Sequence, residues 1–210
     1  TGSDFPELLD ETSGKFIKLP EKFSLEGFEP SQNPMVPMVH KDYVFTKSLF
    51  RDVALFLARP HGHALWLAAP TGSGKTSVIA ELAGRLNYPV YSITCNSRME
   101  FDDLVGRPMV ISKPGEQPSV KFIYGPLARA MKSGGILLLN EVDLCDPAQL
   151  SGLNDVLEGR PLTITQNGGE QIQPHPMFRV VVTANSAGNG DETGSYTGVL
   201  SQNVAAMDRY

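Results

Sequence analysis

Residues 69–76 read Ala69-Pro70-Thr71-Gly72-Ser73-Gly74-Lys75-Thr76. The largely apolar run 63–68 before them predicts a buried strand, and residues 78–86 after them repeat apolar side chains at helical spacing. A strand, a glycine-rich turn, a Lys-Thr pair and a helix form the phosphate-binding loop arrangement, in which backbone N–H groups converge on a phosphate. We therefore predict that nucleotide phosphates bind to Pro70, Thr71, Gly72, Ser73, Gly74, Lys75, Thr76 and Ser77.

Two side chains of this loop carry the predicted chemistry. Lys75 reaches the β- and γ-phosphates, and the Thr76 hydroxyl ligates Mg²⁺. Ala69 departs from the pattern, because a glycine is usual at the first position of the loop.

Composition limits the class of protein. With 210 residues and 41% hydrophobic residues, the chain is long enough for one domain with a sizeable core. The net charge of −5 argues against a general nucleic-acid-binding surface. Cys95 and Cys145 lack metal-ligand spacing, which favours reduced, buried thiols in a cytoplasmic protein. The sequence shows no membrane span and no signal peptide.

Residues 1–44 differ from the rest of the chain. They are rich in Pro, Glu, Lys and Ser and show no sustained periodicity. We interpret them as an extended arm on the core or on a neighbouring subunit, with simple disorder as the alternative. Residues 45–210 are the predicted catalytic core.

The core alternates strands with helices, which predicts a mostly parallel sheet with helices on both faces, a three-layer αβα fold. Two β-hairpins are inserted, joining 109–112 to 120–124 and 162–165 to 171–173. The predicted helices are 48–58, a helix after the phosphate loop, a short one behind a capping box at Ser97–Glu100, 126–132, and one from the N-cap Asp146 to Leu157.

Polar side chains follow three of the predicted strands, at the sheet edge where ligands bind in this class of fold. They are those of the phosphate loop, of Asn140-Glu141 and of Asn185. Glu141 is placed to polarise an attacking water, and Asn185 to orient that water or contact the γ-phosphate. Asn140 stands where an acid usually holds Mg²⁺ through its water shell, and an amide brings no negative charge. His175 has no second ligand at suitable spacing, which favours a structural histidine over a metal ligand.

The chain resembles the MoxR group of AAA+ ATPases, the dynein-related branch with an insert in helix 2, and within it the ring ATPase subunits of cobaltochelatases. The segments that carry the resemblance are 103–106, 125–127, 134–139, 156–158, 174–179, Thr183-Ala184-Asn185, Gly188–Gly194 and Met207-Asp208-Arg209.

This resemblance implies an ATP-hydrolysing ring of six subunits that uses Mg²⁺. Lys75 and Thr76 correspond to the Walker A ends, Glu141 to the catalytic Walker B acid and Asn185 to sensor 1. Arg209 corresponds to an arginine that acts across the subunit boundary. The family's helical lid, which would follow Tyr210, is expected to lie outside this sequence. The implied work is remodelling of a partner protein that carries a von Willebrand A domain, with cobalt insertion into a corrin precursor as the specific version.

Two other classes of function stay open. A DNA-associated motor of similar core should carry basic side chains on its hairpins, where this chain offers only Lys113 and Lys121. A nucleotide-gated binding module with weak hydrolysis is favoured by Ala69 and Asn140. The turn Lys113–Pro118 is either a substrate-engaging loop or a plain surface hairpin.

Overall fold

The computed structural model describes residues 5–185. In chain order the strands are β1 (Leu8–Asp10), β2 (Lys15–Ile17), β3 (Phe45–Thr46), β4 (Leu65–Ala68), β5 (Val90–Thr94), β6 (Gly106–Ile111), β7 (Ser119–Tyr124), β8 (Ile136–Asn140), β9 (Leu162–Ile164), β10 (Glu170–Ile172) and β11 (Arg179–Ala184). The α-helices are α1 (Lys47–Ala58), α2 (Lys75–Arg85), α3 (Phe101–Val105), α4 (Pro126–Ser133), α5 (Pro147–Leu150) and α6 (Leu153–Leu157).

A parallel sheet of four strands, in the order β4-β11-β8-β5, forms the centre of the described part of the chain. Successive residues of β8 point to opposite faces of this sheet. Leu137 and Leu139 pack with residues of α3 to α6, whereas Ile136 and Leu138 pack with residues of α1 and α2. The sheet is therefore covered by helices on both faces, and the predicted three-layer αβα fold is confirmed.

The strand before the phosphate loop is less buried than the sequence predicts. Leu65, Trp66 and Leu67 of β4 are half-buried, whereas every residue of β11 is buried. The difference in burial follows from the strand order. β11 lies between two strands, whereas β4 pairs with β11 alone among the described strands.

Both predicted hairpins are present. Strands β6 and β7 pair from Gly106 opposite Tyr124 to Ile111 opposite Ser119, three residues further toward the core than the predicted start at Met109. Gly106 makes this possible, since its φ is 120° and a Cβ there would lie 2.2 Å from the Ile123 carbonyl oxygen. Strands β9 and β10 form the second hairpin.

Two helix predictions are corrected by the structure. The capping box is formed by Glu100 and Asp103, not by Ser97 and Glu100, because residues 96–98 form a turn closed by the Asn96 side chain. The helix that begins after Asp146 is split at Gly152, whose Cα faces the Phe101 ring so closely that a Cβ would lie 2.6 Å from it.

The N-terminal segment forms a small antiparallel hairpin, β1–β2, and β1 also pairs with β3. Phe5 and Phe23 stack edge-on or tilted against the buried ring of Phe50 in α1, with centroids 5.5 and 5.8 Å away. The described part of this segment is thus packed on the core. Within residues 5–185, no helix is long and apolar enough to cross a membrane.

A buried carboxylate ties this segment to α2. The Glu81 side chain is 3% exposed, and it accepts hydrogen bonds from Arg85, from the His40 backbone N–H at 3.1 Å and from His40 Nδ1 at 2.5 Å. Burial by itself would raise the pKa of Glu81, but the hydrogen bonds from Arg85 and His40 outweigh it and hold this pKa below its ordinary value.

The Glu81→Gln variant should unfold more easily than the wild type at pH 7. Breaking a buried ion pair costs about 3 kcal/mol, because Arg85 keeps its charge without a partner. Folding lowers the pKa of the Glu81 carboxyl. The ionised carboxylate therefore stabilises the folded protein at pH values above the pKa that Glu81 has in the unfolded chain. This stabilisation is lost as the pH falls through the pKa that Glu81 has in the folded protein. The difference in free energy of unfolding should therefore shrink below about pH 4. Urea denaturation at pH 7 and in acid measures it.

Glu116→Gln is the matched control, because Glu116 is exposed in the turn between β6 and β7. It should unfold like the wild type at both pH values. Equal stabilities of Glu81→Gln and the wild type at pH 7 would contradict the structural role given to this ion pair.

Candidate functional site

The phosphate loop connects β4 to α2 at one edge of the parallel sheet. Gly72 and Gly74 have φ values of 82° and 86°, a region that favours glycine, and Gly74 is the N-cap of α2. The positive end of the helix dipole therefore faces the loop. Ala69 does not have a positive φ, so the backbone at this position makes no demand for glycine. Its N–H donates to Ala184 O at 3.3 Å, which joins the loop to β11.

Lys75 lies across the mouth of this loop. Its Nζ donates to the carbonyl oxygens of Ala69 and Pro70, the latter at 3.0 Å, and approaches Asn185 Oδ1 at 3.5 Å. Thr71 Oγ1 donates to the same Asn185 oxygen at 3.2 Å. The ammonium is therefore held among neutral acceptors, and no carboxylate forms an ion pair with it within residues 5–185. Its charge is available for an anion.

Asn140, at the end of β8, is surrounded by hydroxyl groups. Its Oδ1 accepts from Thr76 Oγ1 at 3.3 Å and from Thr183 Oγ1 at 3.2 Å, while its Nδ2 donates to Ser92 Oγ at 2.8 Å. Each of these hydroxyls can donate or accept a hydrogen bond. The surroundings of Asn140 would therefore also satisfy a carboxylate.

Glu141 and Asn185 are held in place through the backbone. Glu141 has a φ of 55°, which is uncommon for a residue with a side chain, and its N–H donates to Thr183 Oγ1 at 3.3 Å. The Asn185 N–H donates to Asp143 Oδ2 at 3.0 Å. Asp143 is fully buried, and its other oxygen is a buried acceptor without a hydrogen-bond partner among the described residues. This carboxylate fixes the end of β11 against the turn after β8.

One cavity of about 370 Å³ brings most of the predicted site residues together, a volume typical of small-ligand sites. It is lined by Thr71, Gly72, Ser73, Gly74, Lys75, Thr76, Ser77, Thr94, Asn140, Glu141, Thr183 and Asn185. Pro70 is absent from this lining and contributes its carbonyl to Lys75. Arg209 and the segment Gly188–Gly194 lie outside the described residues.

Four polar residues of the site were not predicted as site residues: Ser92, Thr94, Asp143 and Thr183. Ser92, Thr94 and Thr183 lie on strands, where threonine and serine are ordinary and predict only β-structure, and Asp143 lies in the turn after β8. The available signal was positional, since Thr94 and Thr183 lie at or near the carboxyl ends of strands.

The residues present fit a nucleotide with a divalent cation. The loop offers backbone N–H groups, a helix N-terminus and one ammonium to phosphates, and Thr76, Asn140 and Glu141 offer hard oxygen donors at the same edge. The oxygen donors carry one formal negative charge, that of Glu141.

His175 is not part of this cavity. Its Nδ1 accepts from the Met177 N–H at 3.0 Å, as expected of a structural histidine.

The two cysteines are buried and unbridged, as predicted. The pKa of the Cys95 thiol is raised, mostly by its hydrogen bond with Cys145 and to a smaller extent by burial. Cys95 therefore stays protonated.

With the fold and this cavity established, the class of protein can be stated. Residues 64–197 match the AAA domain family, dynein-related subfamily, and the chain belongs to that family. It is 32% identical over 175 residues to the aerobic cobaltochelatase subunit CobS of a Sinorhizobium species, covering 83% of this chain and 52% of that protein. It is 30% identical over 164 residues to the uncharacterised protein YojN of Bacillus subtilis, covering 78% of this chain and 50% of that one.

The solved structures agree on the fold. A crystal structure of a candidate ATPase from Cytophaga hutchinsonii superposes with a TM-score of 0.56 at 20% identity, over 78% of this chain and 43% of that chain. The chain spans about half the length of the two curated relatives named here. The expected resemblance to MoxR-type AAA+ ATPases is confirmed at the level of the family.

Replacing Asn140 by Asp should strengthen Mg²⁺ binding in the presence of ADP by about tenfold, because a ligand set with more negative charge binds a hard cation more tightly. The hydroxyls of Thr76, Thr183 and Ser92 can all donate to the new carboxylate, so the midpoint of thermal unfolding should change by roughly 2 °C or less. Calorimetric titration of Mg²⁺ into the ADP-loaded protein measures the affinity.

Asn33→Asp is the control for added charge, since Asn33 caps a turn in the N-terminal segment away from the cavity. It should leave Mg²⁺ affinity unchanged. Unchanged affinity in a folded Asn140→Asp protein would mean that residue 140 does not face the metal's water shell.

Proposed function

We propose that this chain binds ATP with Mg²⁺ and hydrolyses it. The observation that carries the proposal is the convergence of the phosphate loop, Asn140-Glu141 and Asn185 in one cavity. Membership of the AAA family supports it, because nucleotide hydrolysis is the chemistry these elements supply in concert.

The roles follow from where each group lies. The loop N–H groups and Lys75 bind the phosphates, since an anion outcompetes the neutral carbonyls that now hold Nζ. The Glu141 carboxylate polarises a water for attack on the γ-phosphorus. The side-chain amide of Asn185 orients that water or the γ-phosphate, and the backbone N–H of the same residue is held by Asp143. Thr76 and Asn140 would hold Mg²⁺, which when bound offsets charge on the phosphates.

We further propose that the chain works in a ring of six subunits, in which Arg209 of one subunit stabilises transition-state charge at its neighbour's site. Such an arginine is worth about 10³–10⁵ in rate in well-studied enzymes. The family assignment supports a ring, and the role of Arg209 rests on the resemblance of Met207-Asp208-Arg209 to the family motif.

The work done by hydrolysis would be remodelling of a partner protein. The β6–β7 hairpin supports this reading, because it exposes Met109, Val110, Val120 and Ile123, which suits contact with a polypeptide. Similarity to a cobaltochelatase subunit supports cobalt insertion as the specific task. The corrin precursor and a von Willebrand A domain on the partner are what the family resemblance implies.

A second candidate is a nucleotide-gated binding module that hydrolyses slowly. The observation that favours it is the neutral Asn140 beside Thr76, because the cation then lacks one negative ligand. A hydrolysis rate that rises strongly in Asn140→Asp would favour this candidate, because the neutral side chain of Asn140 would then limit the rate of the wild type.

Lys75→Ala should weaken ATP binding about a hundredfold, because Lys75 is the one lysine among the described residues that line the cavity. Glu141→Gln should keep ATP affinity within about threefold and lose hydrolysis, because the amide cannot accept a proton from water. Isothermal titration calorimetry with Mg²⁺-ATP and a phosphate-release assay measure the two effects.

Lys121→Ala is the matched control for charge removal, since Lys121 is exposed on β7. It should bind ATP like the wild type. Equal ATP affinity of Lys75→Ala and the wild type would reject the nucleotide site, and full hydrolysis by Glu141→Gln would reject the role of Glu141. Hydrolysis is measured at a protein concentration at which sedimentation shows assembly, because hydrolysis is proposed to need a neighbour.

DNA should not stimulate hydrolysis strongly. The β6–β7 hairpin carries exposed apolar residues, and the chain as a whole is acidic. Phosphate release measured with and without duplex or single-stranded DNA, at 50 and 300 mM salt, checks this expectation. A large stimulation at low salt that disappears at high salt would favour a DNA-associated motor instead.

A further inference from the structure

A second cavity lies between α1 and the N-terminal segment, and it shares no lining residue with the nucleotide cavity. Its volume is about 580 Å³. One wall is formed by Ile17, Leu19, Phe23 and Leu25 of the N-terminal segment, all half-buried. The opposite wall is one face of α1. We refer to this cavity as the α1 groove.

Two parallel rows of side chains on α1 form that wall. Phe50, Ala54 and Ala58, spaced by four residues, form an apolar row along the floor. Lys47, Arg51, Leu55 and Arg59, also spaced by four, form a second row along the rim, and all four are exposed. Residues four apart lie on the same face of a helix, so each row is continuous.

The rim of the groove is basic although the chain is acidic. Four lining side chains are cationic, those of Lys18, Lys47, Arg51 and Arg59, and among the described residues no acidic side chain lines the groove. The chain as a whole carries 18 basic and 23 acidic residues. A cationic rim beside an apolar floor attracts an amphipathic anion.

Three of these cations have acidic neighbours outside the groove. Lys18 approaches Glu7 at 3.9 Å, Lys47 pairs with Asp10 at 3.2 Å, and Arg51 pairs with Asp52 at 2.9 Å. The first and third pairs are exposed on both sides and contribute little, whereas Asp10 is 19% exposed and holds Lys47 more firmly. Arg59 forms no ion pair within residues 5–185.

The dimensions fit a helix. From Lys47 to Arg59 the rim extends about 18 Å, the length of roughly three helical turns. Ala54 and Ala58 present only methyl groups, so the backbone of a docked helix can approach closely along the floor. An amphipathic helix seated in an apolar groove is a common mode of peptide recognition.

We propose that the α1 groove is a docking site for an acidic amphipathic helix of a partner protein. The helix places its apolar row over Ala58 and against the half-buried side chains of the N-terminal wall, with Phe50 and Ala54 buried beneath it. Carboxylates spaced four residues apart along its edge pair with Lys47, Arg51 and Arg59. The proposal does not rest on the proposed function, because the groove and the nucleotide cavity share no lining residue.

The probe is a designed, fluorescein-labelled peptide of about 16 residues, with leucines on one helical face and glutamates along one edge of that face. Its binding to the chain is measured by fluorescence anisotropy. We expect saturable binding that weakens at least tenfold when NaCl is raised from 50 to 500 mM, because salt screens exposed charges. A peptide with lysine in place of each glutamate, and one with serine in place of each leucine, should each bind at least tenfold more weakly.

Two variants locate the site. Leu55→Glu and Arg59→Glu each add negative charge to the rim at exposed positions, and each should weaken binding of the glutamate peptide at least tenfold. The matched controls are Met38→Glu, which replaces an exposed apolar side chain, and Arg98→Glu, and both positions are exposed and lie outside the groove. Both controls should bind the peptide like the wild type. All four variants should keep the circular dichroism spectrum of the wild type.

The proposal is overturned by any of three outcomes: equal binding of the glutamate and lysine peptides, equal weakening by the groove and control variants, or no saturable binding at 50 mM NaCl. Sedimentation analysis of the unlabelled chain identifies one rival occupant, because dimers lost on Arg59→Glu would assign the groove to a second copy. Displacement of the peptide by laurate at equal concentration would instead assign it to a fatty acid.

Discussion

The parallel register of β11 between β4 and β8 is the constraint on which the site depends. Ala184 lies opposite Ala68, and Val182 lies opposite Leu139. This register brings the start of the phosphate loop, Asn140 and Asn185 to the same edge of the sheet. A shift of one residue would exchange the two faces of β11, so the hydrogen bonds of Arg179 to Leu57 O and of Thr183 to Asn140 enforce the register.

The second constraint is the pairing of polar groups where these strands end. Glu141 adopts a left-handed backbone conformation, which costs of order 1–3 kcal/mol for a residue with a side chain. The hydrogen bond from its N–H to Thr183, and the bond from the Asn185 N–H to Asp143, hold the neighbouring backbone and offset that cost. The same hydroxyl of Thr183 also donates to Asn140. One buried threonine therefore positions two of the residues proposed to act on the nucleotide.

The sequence predicted most of the fold because its signals are local. The phosphate loop, the helices beginning after Gly74 and Asp146, and both hairpins have turn, cap or glycine signatures within a few residues. The β1–β2 hairpin was missed because three-residue strands carry no measurable periodicity.

The hydroxyl groups around Asn140 were missed for a different reason. Ser92, Thr76 and Thr183 come from three distant parts of the chain, and only the strand order makes them neighbours. Sequence spacing carries no signal for such a cluster. The left-handed conformation of Glu141 was equally hidden, because it results from packing around the turn and not from the residue type.

The nucleotide site and the α1 groove are linked through α2. This helix begins at the phosphate loop, and its last residue, Arg85, stacks over the Phe45 ring at 5.1 Å. Phe45 in turn meets Phe50, on the floor of the groove, with ring centroids 5.3 Å apart. These rings belong to one densely packed apolar cluster, and such clusters transmit displacement because they contain no free volume to absorb it.

A shift of α2 caused by phosphate binding would therefore reach the groove by two contacts, through Phe45 to Phe50 and through Glu81 to the backbone of His40. The first contact moves the floor on α1, and the second moves the segment that leads to α1. A shift that moved both walls together would leave the groove unchanged, and a shift that moved one wall would open or close it. The second case is favoured, because both contacts end on α1 or on the segment that enters it, and neither ends on residues 17–25 of the opposite wall.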